Sequence, residues 1–255
     1  MLRKLVKQVV PAAVRRNLRD SQLRLRQRIA VASLGPFLPQ KYVAELAFWK
    51  ELFVGGMRQA NLGVDDMEKA LRTYWEKYRF LAEIERLVSL KHRSVLDVGC
   101  GISSVLRVVT AKRKVGVDPL LKYYCKLVSN WDGIECITSP VESLPFDDAT
   151  FDVVTCSNAL DHVTSPEQAI AEMTRVLRQD GYLVLTVEIF PQASRGTRED
   201  EHPFSFDEQA TLALMKGYNV VFRKSTIAPQ FRRYMLELPL VAEGSELVVV
   251  GKRQS

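Results

Sequence analysis

Residues 94–109 read SVLDVGCGISSVLRVV, and the fold turns on this stretch. Val95, Leu96 and Val98 make a short apolar run of strand type. Gly99 and Gly101 then break the chain, and Val105, Leu106, Val108 and Val109 resume at spacings that predict a helix. Strand, glycine turn and helix in that order form the opening of a βαβ unit, with the turn at the end of the strand.

Working outward, the texture downstream alternates between strands and helices, which predicts a parallel sheet in an α/β domain. The expected strands are SVLDVG, KVGVD, IECIT, FDVVTCS and YLVLTVEIF, all between residues 94 and 190. SSVLRVVTA, LLKYYCKLV and SPEQAIAEMTRVLR are expected as helices, with a short turn near VESLPF. Ser165 suits the N-cap and Pro166 the first turn of the last helix, and Gly181 closes the return to the sheet. Toward the C-terminus a helix, DEQATLALMKG, leads into YNVVFRKSTI and, after a loop, SELVVVGKR. Two strands joined by a loop alone pair antiparallel. Upstream, YVAELAFWKELF at residues 42–53 and VDDMEKALRTYWEKYRFLAEIERLV at 64–88 are apolar-periodic helices, with Asp65 or Asp66 as the N-cap of the second. Tyr74, Trp75 and Tyr78 cluster at helical spacing and read as core.

The ligand of the turn follows from its acids. A dinucleotide turn has the form G-x-G-x-x-G, with a pyrophosphate on the helix N-terminus. Here the third place holds Ser104, and Asp97 stands two residues before the first glycine. An anion is awkward beside a pyrophosphate and well placed for a cation such as a ligand ammonium group; capping the following helix is its other reading. Asp118 ends the next strand, where a carboxylate can receive two ribose hydroxyls; as a turn former before Pro119 it would be merely local. A tight backbone turn, one acid for an amine and one for a ribose fit S-adenosylmethionine better than a nicotinamide dinucleotide.

From about residue 91 to 189 the chain resembles class I S-adenosylmethionine-dependent methyltransferases of the ubiquinone-biosynthesis-like type. LDVGCG is similar to the family's glycine-rich motif and VGVDP to its acidic second-strand end. SPVESLPFDDATFDVVTCSNALDHV is similar to the adenine-covering stretch and fourth strand, and EMTRVLRQDGYLVLT to the following helix, turn and strand. The resemblance implies a doubly wound, mostly parallel seven-stranded sheet with an antiparallel last strand and a helical N-terminal extension. It also implies S-adenosylmethionine as cofactor, held by Asp97, Gly99, Cys100, Gly101, Asp118, Pro119, Val141 and Glu142. Ser157, Asn158 and Ala159 join them from the end of the fourth strand, where sheet topology places ligands. The chain departs from the family at Ser103, where relatives carry a third glycine. It departs again at Ser139, Pro140, Val141 and Glu142, where they carry a Gly-Asp-Ala-Glu pattern. Backbone groups of Val141 and Glu142, with Pro140 or Leu144 on the ring face, are then expected to meet the adenine.

Candidate proton acceptors are His162, just past the fourth strand, and His202, in the expected loop REDEHPFSF, each with a packing or hydrogen-bonding role as its alternative. Asp161 is expected at the cofactor mouth or in solvent. No metal is expected: Asp152 and Asp161 do not make a ligand cluster, and Cys100, Cys125, Cys136 and Cys156 are too dispersed for zinc or a disulfide framework. The acceptor expected first is a sugar or lipid-linked glycan hydroxyl, with Arg232 and Arg233 placed to meet a phosphorylated or carboxylated compound. A quinone-like or other apolar small molecule, and a cofactor-binding partner protein without transferase activity, remain open.

The chain has 255 residues, 47% hydrophobic and 26% charged, as in ordinary globular domains. Its formal charge of +6 is concentrated at one end. Residues 1–35 carry nine basic side chains against the single acid Asp20, a net of +8, which leaves −2 for the remainder. The expected organisation is a basic amphipathic segment at 1–35, a helical cap at 36–90 and the cofactor-binding domain at 91–255. Apolar and cationic faces on the first segment fit an anionic membrane surface, a mitochondrial transit segment or a solvated helix. Nucleic acid ranks last, because the body carries no obvious basic surface. No apolar run reaches membrane-spanning length and no secretory signal is apparent, so a cytoplasmic protein, peripheral on a membrane, is expected. Oligomeric state is not legible.

Overall fold

The computed structural model describes residues 21, 25, 38–51, 75, 80–128, 131–189, 194–199, 202–227 and 245–254. In chain order these form α1 (Gln40–Lys50), α2 (Phe80–Val88), β1 (Ser94–Val98), β2 (Arg113–Val117), α3 (Leu121–Leu127), β3 (Glu135–Ile137), β4 (Phe151–Ser157), α4 (Pro166–Val176) and β5 (Leu177–Ile189). They continue with β6 (Ser194–Glu199), β7 (His202–Ser205), α5 (Glu208–Leu214), β8 (Tyr218–Ile227) and β9 (Ser245–Arg253).

Seven strands form one sheet in the order β3-β2-β1-β4-β5-β9-β8. The first five are mutually parallel, and β9 runs antiparallel between β5 and β8. This is the doubly wound, mostly parallel architecture that the sequence predicts. Two cores enforce it. On one face Leu96, Val154 and Leu183 lie in register across β1, β4 and β5 beneath Ala169, Ile170 and Met173 of α4. On the other face Val95, Val153, Val184 and Val250 pack with Ile84 and Val88 of α2. The period-2 alternation within near-continuous apolar runs is what a sheet covered on both sides requires. At about 1.5–3 kcal/mol for each large side chain fully buried, these positions dominate the folding energy.

Three expectations are corrected. The segment after the first glycine turn is not an α-helix; it makes only a 3-10 turn at Val105–Arg107. Ser104 Oγ accepts from Leu106 N–H at 3.3 Å, so a side chain competes with the first helical bond, and the β-branched Val105, Val108, Val109 and Thr110 resist helix propagation. α4 ends at Val176, and β5 starts at Leu177 and pairs through a bulge opposite Phe151 and Val153. Asp180, not Gly181, takes the left-handed conformation there (φ 61°). Gly181 is needed for space instead, since a Cβ would stand 2.8 Å from the Arg178 carbonyl oxygen. Finally, the expected loop REDEHPFSF falls largely in a β-hairpin, in which Arg195 pairs with Phe204 and Glu199 with His202. Its charged residues carry no apolar alternation, which hid the strands.

The cap of α4 matches expectation, Ser165 Oγ accepting from Gln168 N–H at 3.2 Å, and α5 is capped by Asp207, whose Oδ1 accepts from Ala210 N–H at 2.7 Å. No helix among the described residues is long and apolar enough to cross a membrane. Residues 1–35, apart from Ser21 and Leu25, and Asp65, Asp66, Tyr74, Tyr78, Arg232 and Arg233 lie outside the described residues.

Candidate cofactor and acceptor site

A cavity of about 420 Å³ opens at the C-terminal ends of β1, β2, β4 and β5, where parallel sheets hold ligands. Its size lies within the roughly 300–1,000 Å³ of small-molecule and cofactor sites. The residues that the resemblance gives as holding the cofactor line it: Asp97, Gly99, Cys100 and Gly101 from the first turn, and Asp118 and Pro119 from the second strand's end. Val141 and Glu142 line it from the third loop, and Ser157, Asn158 and Ala159 from the fourth strand's end, with His162 close behind.

The two turn glycines serve different ends. Both have left-handed backbones, φ 64° at Gly99 and 54° at Gly101. A Cβ on Gly99 would collide with Ala159 Cβ, so this glycine lets the β1 turn pack against the end of β4. A Cβ on Gly101, which lines the cavity, would meet nothing within 4 Å. Gly99 is a packing requirement, whereas Gly101 borders open space.

Asp118 is 8% exposed. Its Oδ2 accepts from Gly101 N–H at 3.1 Å and its Oδ1 from Leu120 N–H at 2.7 Å. A carboxylate has about four acceptor positions, so two are left, the number a vicinal diol uses. Burial, only partly offset by these two bonds, pushes its pKa up to about 7.

Asp97 is more enclosed, at 2% exposure. Thr155 Oγ1 donates to its Oδ1 and Ser104 Oγ to its Oδ2, each at 2.7 Å, and the Val105 amide donates as well. It therefore braces the β1 turn against β4, and about one acceptor position is left toward the cavity. Burial raises its pKa to about 6 despite these donors.

The loop expected at the adenine is fixed from behind. Glu142 Oε1 accepts from Thr164 N–H at 2.6 Å, and its carbonyl receives Gln168 Nε2 at 3.1 Å. Its side chain is thus committed to the loop before α4. Pro140 lines the cavity, whereas Leu144, the other residue expected on the adenine face, is buried in the main core.

At the far end Asn158 takes φ 48°, and its Nδ2 donates to the buried Glu246 on β9 at 2.8 Å. His162 N–H bonds to the Ala159 carbonyl at 3.1 Å, and its Nε2 lies 3.8 Å from Asp161 Oδ1 at the cavity edge. His202 sits on β7 of the separate hairpin, paired with Glu199.

Several lining residues were not singled out from sequence. Tyr42, Glu45 and Trp49 of α1 face the cavity, and Trp49 Nε1 donates to Glu45 at 2.6 Å. Their spacing of three and four residues was a usable signal, a second stripe beside the apolar one. Burial, and then the Glu142 and Asp118 carboxylates, raise the Tyr42 pKa. Trp75, expected as core, is buried and also lines the cavity, with Nε1 2.5 Å from the Ser103 carbonyl oxygen. Glu188 enters from the end of β5, where a lone acid in an apolar strand gave no motif. The thiols of Cys100 and Cys156 are buried and pushed up by burial, as small apolar side chains would be. Among the described residues no group of acids, histidines and cysteines could hold a metal ion.

Comparison with known proteins agrees with this geometry. Residues 96–185 match the family described as methyltransferase domain. The uncharacterized methyltransferase YcgJ of Bacillus subtilis is 33% identical over 110 residues, 40% of this chain and 43% of that protein. A tRNA U34 carboxymethyltransferase of Shewanella loihica is 37% identical over 105 residues, 38% of this chain and 32% of that one. The chain thus spans less than half the length of these curated relatives. The crystal structure of YcgJ superposes with a TM-score of 0.55 at 17% identity, over 70% of this chain and 99% of that one. The Burkholderia thailandensis 1,6-didemethyltoxoflavin-N1-methyltransferase, bound to S-adenosylhomocysteine, superposes at 0.54 and 18% identity, over 86% and 92% of the two chains. Residues 96–185 are thus similar to the methyltransferase domain family.

Proposed function

We propose that the protein is an S-adenosylmethionine-dependent methyltransferase acting on a hydroxyl of a sugar-like small molecule. The observation that carries the cofactor is Asp118: a buried carboxylate fixed by two backbone amides, with two acceptor positions left, beside a glycine whose missing Cβ leaves room. When bound, S-adenosylmethionine supplies a methyl group on a positively charged sulfur that departs as a neutral thioether. The chain's own work is then to hold, align and dry the reactants, which supplies most of the acceleration in such a displacement. Asp118 receives the ribose hydroxyls, Asp97 offers its remaining acceptor position to the amino group, and Gly101 admits the ligand to the turn. Tyr42, Trp49 and Trp75 cover the cavity and exclude water.

At the acceptor end His162 takes the hydroxyl proton as the oxygen becomes the nucleophile, with Asp161 Oδ1 3.8 Å from its Nε2. The relatives' named substrates, a tRNA and a toxoflavin precursor, differ too much to choose an acceptor. The preference for a hydroxyl rests on the carboxylates there, which only accept hydrogen bonds while ionised. Calorimetric titration with S-adenosylmethionine and S-adenosylhomocysteine tests the cofactor. Binding of both, lost in Asp118→Asn, is expected; absence of heat for either ligand overturns the proposal.

A further inference from the structure

Cys125 and Cys136 stand eleven residues apart in sequence, and the fold brings their thiols together. Cys125 lies on α3 and is exposed, while Cys136 is the middle residue of β3 and half-buried; both are free thiols. The two side chains share a hydrogen bond. The elements that carry them are fastened to each other close by: Lys122 N–H, at the start of α3, donates to Thr138 Oγ1, just past β3, at 3.2 Å. Leu121, Tyr124 and Val128 belong to the core cluster against which Cys136 packs. The contact is therefore held by the packing of a helix on the strand that follows it.

The surroundings set the two thiols apart. Burial first, and then the Cys125 thiol, push the Cys136 pKa up to about 12, while the Arg107 guanidinium pulls it down. That guanidinium stands 4.3 Å from the ring centroid of Trp131, whose Nε1 donates to the Val128 carbonyl at 3.1 Å, just past α3. Cys136 Sγ also reaches the Ile134 carbonyl oxygen at 3.6 Å. One thiol open to solvent and a second sheltered behind it let a small oxidant enter at the first sulfur and be displaced by the second. Cys100 and Cys156 are placed otherwise, buried at the cavity with 5% and 2% exposure.

We propose that Cys125 and Cys136 form a thiol–disulfide exchange site, which small-molecule disulfides oxidise to an intramolecular bridge. In the first step the Cys125 sulfur, giving up its proton, attacks one sulfur of the small disulfide. A mixed disulfide forms, the original S–S bond breaks, and one small thiol leaves with the proton. In the second step the Cys136 sulfur, giving up its own proton, attacks the Cys125 sulfur, and the second small thiol leaves with that proton. The cysteine pair loses two electrons and the small disulfide gains them. Neither cysteine lines the cavity, so the site is separate from the cofactor reading and does not rest on it. Its bridge does tie together the two elements behind that cavity: α3 follows Asp118 and Pro119, and β3 leads into Ser139, Pro140, Val141 and Glu142.

The test incubates the full chain with oxidised glutathione and follows intact mass and melting temperature, with digestion run without reductant to locate each bond. The expected product has lost two hydrogens, carries a Cys125–Cys136 link without glutathione, and reverts with dithiothreitol. It is expected to melt roughly 5–10 °C higher, the gain from closing a loop of this length in a chain of this size. Cys136→Ser is expected to stop at a stable glutathione adduct on Cys125. Cys125→Ser, which changes an exposed side chain, is expected to react at least about tenfold more slowly and to give no bridge; it decides the matter should Cys136→Ser fail to fold. Absence of reaction, glutathione on either cysteine of the natural chain without a link, a link to Cys100 or Cys156, or a bridged chain that melts no higher than the reduced one overturns the proposal.

Discussion

Gly99→Ala and Gly101→Ala place the same methyl group two residues apart on one turn, and the structure assigns them opposite consequences. Both force an L-residue into the left-handed region, which costs about 1–2 kcal/mol. At Gly99 the new Cβ also collides with Ala159, and overpacking of this kind adds about 1–3 kcal/mol. Gly99→Ala should therefore lose about 2–5 kcal/mol of stability, a fall of roughly 4–20 °C in melting temperature for a chain of this size. Gly101→Ala meets nothing within 4 Å and should lose only about 1–2 kcal/mol, or roughly 2–8 °C. Its methyl stands where the cofactor must approach, and the same 1–3 kcal/mol of crowding then falls on binding, a loss of about 5- to 150-fold in affinity. Differential scanning fluorimetry gives the melting temperatures, and calorimetry with S-adenosylhomocysteine, run well below the lower one, gives the affinities. If Gly101→Ala binds as tightly as the natural protein, or Gly99→Ala melts no lower than Gly101→Ala, the division of roles is wrong.

Four further outcomes are expected. Asp118 and Asp97 hold protons up to pH values of about 7 and 6, so calorimetric affinity for S-adenosylmethionine should fall as pH drops from 8 to 5.5; a flat profile refutes their part in binding. The free protein should show the opposite trend. A carboxyl raised in the folded state stabilises it at low pH and loses that stability as pH rises through the folded value. Asp118 alone then contributes up to about 4 kcal/mol between pH 4 and 7, read from urea midpoints against Asp118→Asn. Ser104→Ala removes a donor from the buried Asp97 and should cost about 1.5–3 kcal/mol in urea unfolding, an unchanged midpoint telling against the brace. Removal of residues 1–35, with their net charge of +8, should weaken sedimentation with anionic vesicles and leave neutral ones unaffected; equal binding by both chains discards the membrane role.

How much of this was legible depended on whether the decisive interaction was local. The strands were legible because a sheet covered on both faces needs near-continuous apolar runs, and VLDV and FDVVTC supply them without reference to any distant residue. The antiparallel pairing of β8 and β9 was legible because the sequence gives no helix pattern between them. The missing helix was not, because its fate is settled by Ser104, which answers to Asp97 seven residues earlier and, through it, to Thr155 on another strand. The same closure hid the role of Asp97: a carboxylate before a glycine turn looks ligand-facing until three protein donors are counted around it. Asp118 was legible for the complementary reason, since both of its protein partners lie in the two turns that its own strand end adjoins. The acceptor end illustrates the limit most clearly. Asp161 and His162 announce themselves after β4, but Glu188 and Glu246 meet only through the β5–β9 register, which joins residues 58 positions apart across an intervening helix and three strands. The residues expected at the cofactor lie in short segments at successive strand ends, whereas the pairing of Glu188 with Glu246 exists only once the sheet has closed.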